Sequence, residues 1–400
     1  MNIKDLNIKE IKDSRGNPTI EVGLVSETGD FFNAQVPSGK SVGEREAIVL
    51  PFGKAREVLD GLLKKELIGR DFGGVKELDA FLLQLDPTSQ KERLGGNLTL
   101  GLSLAFARAL AGEKKLELWE ILRGEFFPGE TGKILPRIFS NLINGGVHAE
   151  NNLDFQEFLA VVEPKDSVEA AVAKLGDFYE KLGEWFKNES GLANTRLGDE
   201  GGYAPNFKDN FEPFRILGER IAAENLEGEF SLGMDAAASE LWSEGKYRFE
   251  NQRLSADELK QVYLNYFRRA PFLFSLEDPF DEDDGQSFGN LLAQAPGKLI
   301  IGDDLTTTRP EMIQSCASHK FVNGVIIKAN QIGTLKETCE AVKAAKESKV
   351  DVIVSHRSGE TADNFLIHIA RAGNAQGVKI GSPYGDRLSK FKELVRVFSR

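Results

Sequence analysis

Two kinds of hydrophobic patterning divide the chain. Near its start, the runs 20–25 (IEVGLV) and 31–36 (FFNAQV) flank a turn-rich spacer at 26–30, which predicts an antiparallel hairpin. Strong helix formers follow, densest over 102–110 (LSLAFARAL). Strands first and helices after predict a small α+β domain over residues 1–125. The stretch 127–132 (FPGETG) reads as part of a linker over 126–136. From 137 to 400 the pattern repeats: short β-rich apolar runs occur at 158–162, 230–234, 272–276, 299–301, 325–327, 352–354 and 378–380. Several are separated by helix signals, including the S/T-x-x-E capping boxes Ser255–Glu258 and Thr334–Glu337. Strands alternating with capped helices predict parallel pairing and a (β/α)8-type barrel. An open, doubly wound sheet is the competing architecture.

What ends these runs carries the chemistry. Successive runs terminate in Asp235, Glu277, Asp303, Lys328 and His356, and Lys379 follows Val378 in the last. From Glu277 onward the spacing is about 25 residues, one βα unit each, so these side chains converge on the C-terminal mouth of a barrel. Single charged strand ends are commonplace; six in succession are not. Asp235, Glu277 and Asp303 on neighbouring strands repel one another unless a cation lies between them. All-oxygen ligation suits Mg²⁺. Lys328, one strand on, lies near that ion, and burial with nearby positive charge is expected to lower its pKa towards that of a base. A divalent ion beside a poised lysine suits removal of a proton α to a carboxylate.

Three loops add candidates. Residues 197–203 (LGDEGGY) set Asp199 and Glu200 among glycines, and 144–149 (NGGVHA) carry His148 ahead of Glu157. Residues 355–360 (SHRSGE) bring Arg357 and Ser358 into a turn expected to lead into a helix, a natural phosphate cradle. Ser358 serves equally well as a helix cap. His319 and His368 lie in helical context and receive no role.

Composition narrows the partners. The formal net charge of −12 argues against nucleic acid, whose phosphates need a clustered basic surface. Two cysteines are too few for a disulfide framework and fit a reducing, cytoplasmic setting. No run approaches a membrane span, and the N-terminus lacks a secretory apolar stretch.

Taken together, Asp13–Thr19, Asn144–His148, Gln156–Phe158, Gly198–Pro205, Gly233–Asp235 with Ala237–Glu240, Glu277–Phe280, Gly302–Thr306, Lys328 with Asn330–Gly333, and Ser355–Thr361 resemble the enolase family closely and almost end to end. The resemblance implies reversible dehydration of 2-phosphoglycerate to phosphoenolpyruvate. Lys328 would take the C2 proton, and Glu200 would assist loss of the C3 hydroxyl with Glu157 and His148 beside it. Asp235, Glu277 and Asp303 would hold one Mg²⁺; a second would arrive with substrate and bind Ser41. His356, Arg357, Ser358 and Lys379 would bind substrate. The family fold is a small α+β domain before a barrel with an irregular ββαα start, usually as a homodimer or homo-octamer. A lyase or racemase acting on another carboxylate is the alternative, and a non-catalytic binding protein on the same fold a third.

Four features depart from the family pattern. Lys40 replaces the usual alanine before Ser41, the segment after Ala47 is short, Glu150 stands where glycine is usual, and little tail follows Lys390.

Overall fold

The computed structural model describes residues 1–40, 43–188 and 196–399. The N-terminal domain begins with an antiparallel sheet of β1 (Ile3–Lys12), β2 (Pro18–Ser26) and β3 (Phe31–Gln35). The expected hairpin is β2–β3, with Val22 opposite Ala34. Strand β1 lacks a clean apolar alternation: residues such as Lys4, Asp5, Lys9 and Glu10 are exposed or nearly so. Helix Gly96–Lys114 packs on this sheet and is buried over most of its circumference, because the barrel covers its other side.

The second domain is a closed eight-stranded barrel, which excludes the open sheet. In chain order its strands are β4 (Arg137–Asn144), β5 (Glu157–Val162) and β6 (Phe230–Asp235). After a small antiparallel sheet of β7 (Trp242–Ser243), β8 (Lys246–Phe249) and β9 (Gln252–Leu254) come β10 (Leu273–Glu277), β11 (Leu299–Gly302), β12 (Gly324–Ile327), β13 (Asp351–Ser355) and β14 (Gly377–Ile380). Around the barrel the order is β10-β11-β12-β13-β14-β4-β5-β6.

The uniform parallel pairing expected from the repeat needs correction. Strand β5 runs antiparallel to both β4 and β6. Helices Val168–Asn188 and Glu212–Ala223 then follow β5 in succession, the ββαα start. The connection from β4 to β5 holds only the single turn Gly146–His148 and no crossover helix, so the chain returns antiparallel beside β4. The end of β5 that reaches the mouth is its beginning, where Glu157 stands opposite Asp235.

Period-two alternation explains why the mouth is polar above an apolar floor. Phe139, Leu159, Val161, Leu299, Ile301, Ile326 and Ile353 form a separate buried cluster. Two residues towards the mouth from Phe139, Leu159, Ile301, Ile326 and Ile353 lie Asn141, Glu157, Asp303, Lys328 and Ser355. These five strands thus present one filler and then one polar group on their inward faces.

Candidate active site

Packing of the N-terminal domain against the barrel mouth closes one side of a small pocket. Glycine at 359 makes this approach possible, since a Cβ there would collide with Asp13 and Ser38. Backbone bonds tie the two segments: Ser38 N donates to the Gly359 carbonyl at 2.8 Å and Gly359 N to that of Ser38 at 3.0 Å. Ser358 lies in this junction. Its hydroxyl accepts from Lys40 N at 3.1 Å and Arg15 Nη1 at 3.4 Å. The helix expected directly after it begins only at Phe365, so residues 357–360 form neither a helix N-terminus nor a cap, and any anion bound there relies on side chains.

The sequence candidates in the described residues converge. His148, Glu157, Glu200, Asp235, Asp303, Lys328, His356, Arg357, Ser358 and Lys379 all line the pocket. Glu277 sits just beneath them, 1% exposed and bonded to Lys379. Ser41 falls outside the described residues.

One half of the pocket is a carboxylate cage. Lys379 Nζ lies 3.0 Å from Asp235 Oδ2, 2.7 Å from Glu277 Oε2 and 3.3 Å from Glu157 Oε2. The cation that mutual repulsion requires is therefore partly supplied by the chain itself. Burial disfavours the Lys379 ammonium, yet Asp235, Glu157 and Glu277 outweigh it and hold its pKa well above the ordinary lysine range. Lys328 Nζ pairs closely with Asp303 Oδ2, whose other oxygen accepts from Gln331 Nε2 at 3.0 Å. Without an ion, burial pulls the Lys328 pKa down but Asp303 drives it upward overall; the lowering expected from the sequence depends on a cation beside it.

A divalent cation fits what remains. Seven carboxylates and four cationic side chains line the pocket. Glu277 Oε1 is buried without a hydrogen-bond partner, which normally costs more than a kcal/mol. Burial, then the charge of Asp235, pushes the Glu277 carboxyl well above its ordinary range. A hard cation held by these acids would relieve all three effects; among the described residues the groups whose ligand atoms lie within 4.8 Å of one another are His148, Glu157 and Glu200, and Asp278, Asp303 and Asp304, whereas Asp235 and Glu277 instead share Lys379. Asp278, Asp303 and Asp304 form a second acidic group with converging oxygens. There Asp278 already accepts from the backbone amides of Asp303 and Asp304, both at 2.8 Å, and so shapes the turn that carries Asp303.

The other half is an acid–imidazole cluster. Ligand atoms of His148, Glu157 and Glu200 lie within 4.8 Å of one another. Glu200 Oε1 is 3.6 Å from both His148 Nδ1 and His356 Nε2, and Oε2 accepts from Asn141 Nδ2 at 3.1 Å. Burial, then the charge of Glu200, raises the Glu157 carboxyl well above its ordinary range. Glu200 is buried as deeply, but the imidazoles hold it below that range. Burial in turn draws both histidines towards the neutral form. The two carboxyls act as one titrating unit, in which Glu157 carries the raised pKa and Glu200 the lowered one.

Several contributors carry no local sequence signal. Arg357 makes a bidentate pair with Glu46 from the N-terminal domain, at 2.8 and 3.2 Å, and also donates to Asn330 Oδ1 at 3.1 Å. Asn141 lies on β4, a strand missed because its run reads RIFSNLIN, without alternation. Gln156 lines the pocket with a buried, unpartnered Oε1.

Comparison with known proteins agrees with this arrangement. Residues 3–122 match the family model "Enolase, N-terminal domain" and residues 132–399 match "Enolase, C-terminal TIM barrel domain". The chain is 38% identical over 410 residues to the enolase of Ehrlichia ruminantium, covering 99% of this chain and 96% of that protein. It is 37% identical over 402 residues to the enolase of Aeropyrum pernix, covering 97% and 92%. It is likewise 37% identical over 415 residues to enolase 1 of Chlorobaculum tepidum, covering 99% and 95%. With both halves matched and the barrel closed as described, the chain belongs to the enolase family, the phosphopyruvate hydratases.

Proposed function

We propose that the chain interconverts 2-phosphoglycerate and phosphoenolpyruvate with two Mg²⁺ per site, as a cytoplasmic homodimer or homo-octamer whose N-terminal domain (1–125) joins the catalytic barrel (137–400) through a linker at 126–136. The observation that carries this reading is the placement of Lys328 and Glu157. Lys328 follows β12, Glu157 opens β5, and these strands lie four apart in a barrel of eight. A base and an acid pair therefore face each other across the mouth, the geometry needed to remove a proton from one face of a small substrate and a hydroxyl from the other.

Lys328 accepts the C2 proton. Asp303 holds it as the ammonium; a cation held by Asp303 would weaken that hold, so that the amine gives its proton to solvent water and becomes a base. Asp235, Glu277 and Asp303 would hold a Mg²⁺, which would supply positive charge that lowers the cost of an enolate. Glu200 delivers a proton to the departing C3 hydroxyl. Glu157, the carboxyl of raised pKa, passes a proton to Glu200 as the substrate displaces the surrounding contacts. His148 and His356 flank Glu200 and fix its orientation. Lys379 supplies positive charge beside the substrate carboxylate, and Arg357 and Ser358 receive the phosphate.

The excess of acid in the pocket favours this reading over a binding role alone. A phosphorylated carboxylate adds more negative charge to a site already rich in it, so tight binding requires added cations. The test is phosphoenolpyruvate formation from 2-phosphoglycerate with Mg²⁺, after chelation, and after Mg²⁺ is restored. Formation that stops and recovers supports the proposal. Turnover indifferent to chelation, or none with Mg²⁺, rejects it.

A further inference from the structure

Lys40 does something that its position in a loop does not require. Its Nζ lies 2.7 Å from Asp199 Oδ2 and donates to the Val147 carbonyl at 2.5 Å. Its backbone N–H donates to Ser358 Oγ at 3.1 Å. Asp199 precedes Glu200, and its own N–H donates to the His148 carbonyl at 3.1 Å. One residue of the N-terminal domain thus joins the segments carrying Glu200, His148 and Ser358, three groups the proposed reaction uses. The side chain also lines the pocket, where anionic groups outnumber cationic ones.

We infer that Lys40 is a positioning residue for the phosphorylated end of the substrate: its ammonium pins segment 37–40 against the Glu200 and His148 loops and supplies part of the positive charge the phosphate needs, so that binding leans less on a second divalent cation. A neutral side chain leaves Asp199 unpaired at the mouth and returns that burden to the metal. The side chains of Lys40 and Asp199 are 39% and 27% exposed, so water and salt screen the pair and the effect is moderate.

Because the inference rests on the phosphoglycerate reading, the experiment compares wild type, Lys40→Ala and Lys40→Arg in two ways. In the first, KM and kcat for 2-phosphoglycerate are measured across a Mg²⁺ series. Lys40→Ala should raise KM and the half-saturating Mg²⁺ concentration roughly three- to tenfold, change kcat less, and be largely rescued by Lys40→Arg. In the second, hydrogen exchange is followed at the amides of Ser38, Gly39 and Lys40 in metal-free protein without substrate. These amides should exchange faster in Lys40→Ala than in wild type or Lys40→Arg. Unchanged KM, Mg²⁺ dependence and exchange in Lys40→Ala would reduce the contact to a surface ion pair and overturn the inference. Wild-type protein without turnover would overturn the functional reading instead, and the exchange comparison would still decide whether Lys40 pins the segment.

Discussion

Asp79 shows how much one buried charge can matter away from the chemistry. It is fully buried between helix Val75–Leu85 and helix Leu335–Glu347, where Oδ2 accepts from Ser103 Oγ at 2.9 Å and Lys336 N at 2.8 Å, and Oδ1 has no partner. Burial raises its pKa to about 7, and Glu337 and Glu125 add to the shift while the two hydrogen bonds oppose it. A folded pKa above the unfolded one means that the native state retains a proton which the unfolded chain releases. Stability therefore falls as pH rises from the ordinary carboxylate range towards 7, and the full penalty applies above that. Asp79→Asn should raise Tm at pH 8 and do so more than at pH 5; equal shifts at both would show that the carboxyl titrates normally. At the site, Lys328→Ala should abolish turnover while divalent-ion binding, followed by calorimetry, remains. The placement of individual residues at the mouth was legible where side-chain chemistry and strand period coincide, as for Asp235, Glu277, Asp303 and Lys328. The close pairing of Lys328 with Asp303 was not legible, because it depends on which carboxylate comes within reach. Glu46 and Asn141 were equally hidden, since their importance arises from contacts with Arg357 and Glu200 far along the chain.

At the scale of elements, the N-terminus of helix Leu335–Glu347 is held jointly by both domains. Ser103 Oγ accepts from Leu335 N at 3.2 Å, Asp79 from Lys336 N, and Thr334 Oγ1 from Glu337 N at 3.2 Å. The box expected at Thr334–Glu337 is thus only half formed: Glu337 turns instead to the Thr334 hydroxyl and, at 2.9 Å, to the buried Lys91 ammonium. The box at Ser255–Glu258 is complete, since nothing competes there. Ahead of the shared cap, Gly333 has φ +96° and a Cβ would lie 3.1 Å from Gly96 Cα, backbone that cannot yield as a flexible side chain does. Gly333→Ala should destabilise the protein by more than about 1 kcal/mol, read as a lower urea midpoint; an unchanged midpoint would show that the domains separate at no cost. Elements with a single period and a capping signal were readable from sequence. Strand β4, buried nearly throughout although half its residues are polar, and β1, exposed along much of its length, were not, because each draws its burial pattern from partners remote in sequence.

For the whole molecule, the central question is charge balance in a pocket enclosed by two domains. Among the described residues no helix is long and apolar enough to cross a membrane. The barrel, its irregular start and the preceding α+β domain follow the expected architecture, and the antiparallel β5 is what brings Glu157 to the same mouth as Lys328. A cation that binds only the folded state raises stability by mass action, by about 2.7 kcal/mol at a hundred times its Kd. Mg²⁺ should therefore raise Tm for the wild type and much less for Asp303→Asn. An equal rise in both would place the ion elsewhere. The most direct test of the account is exchange of the C2 hydrogen of 2-phosphoglycerate into deuterated water, followed by proton NMR. The account predicts exchange in the wild type with Mg²⁺, and none after chelation or in Lys328→Ala; exchange that survives either change would contradict it.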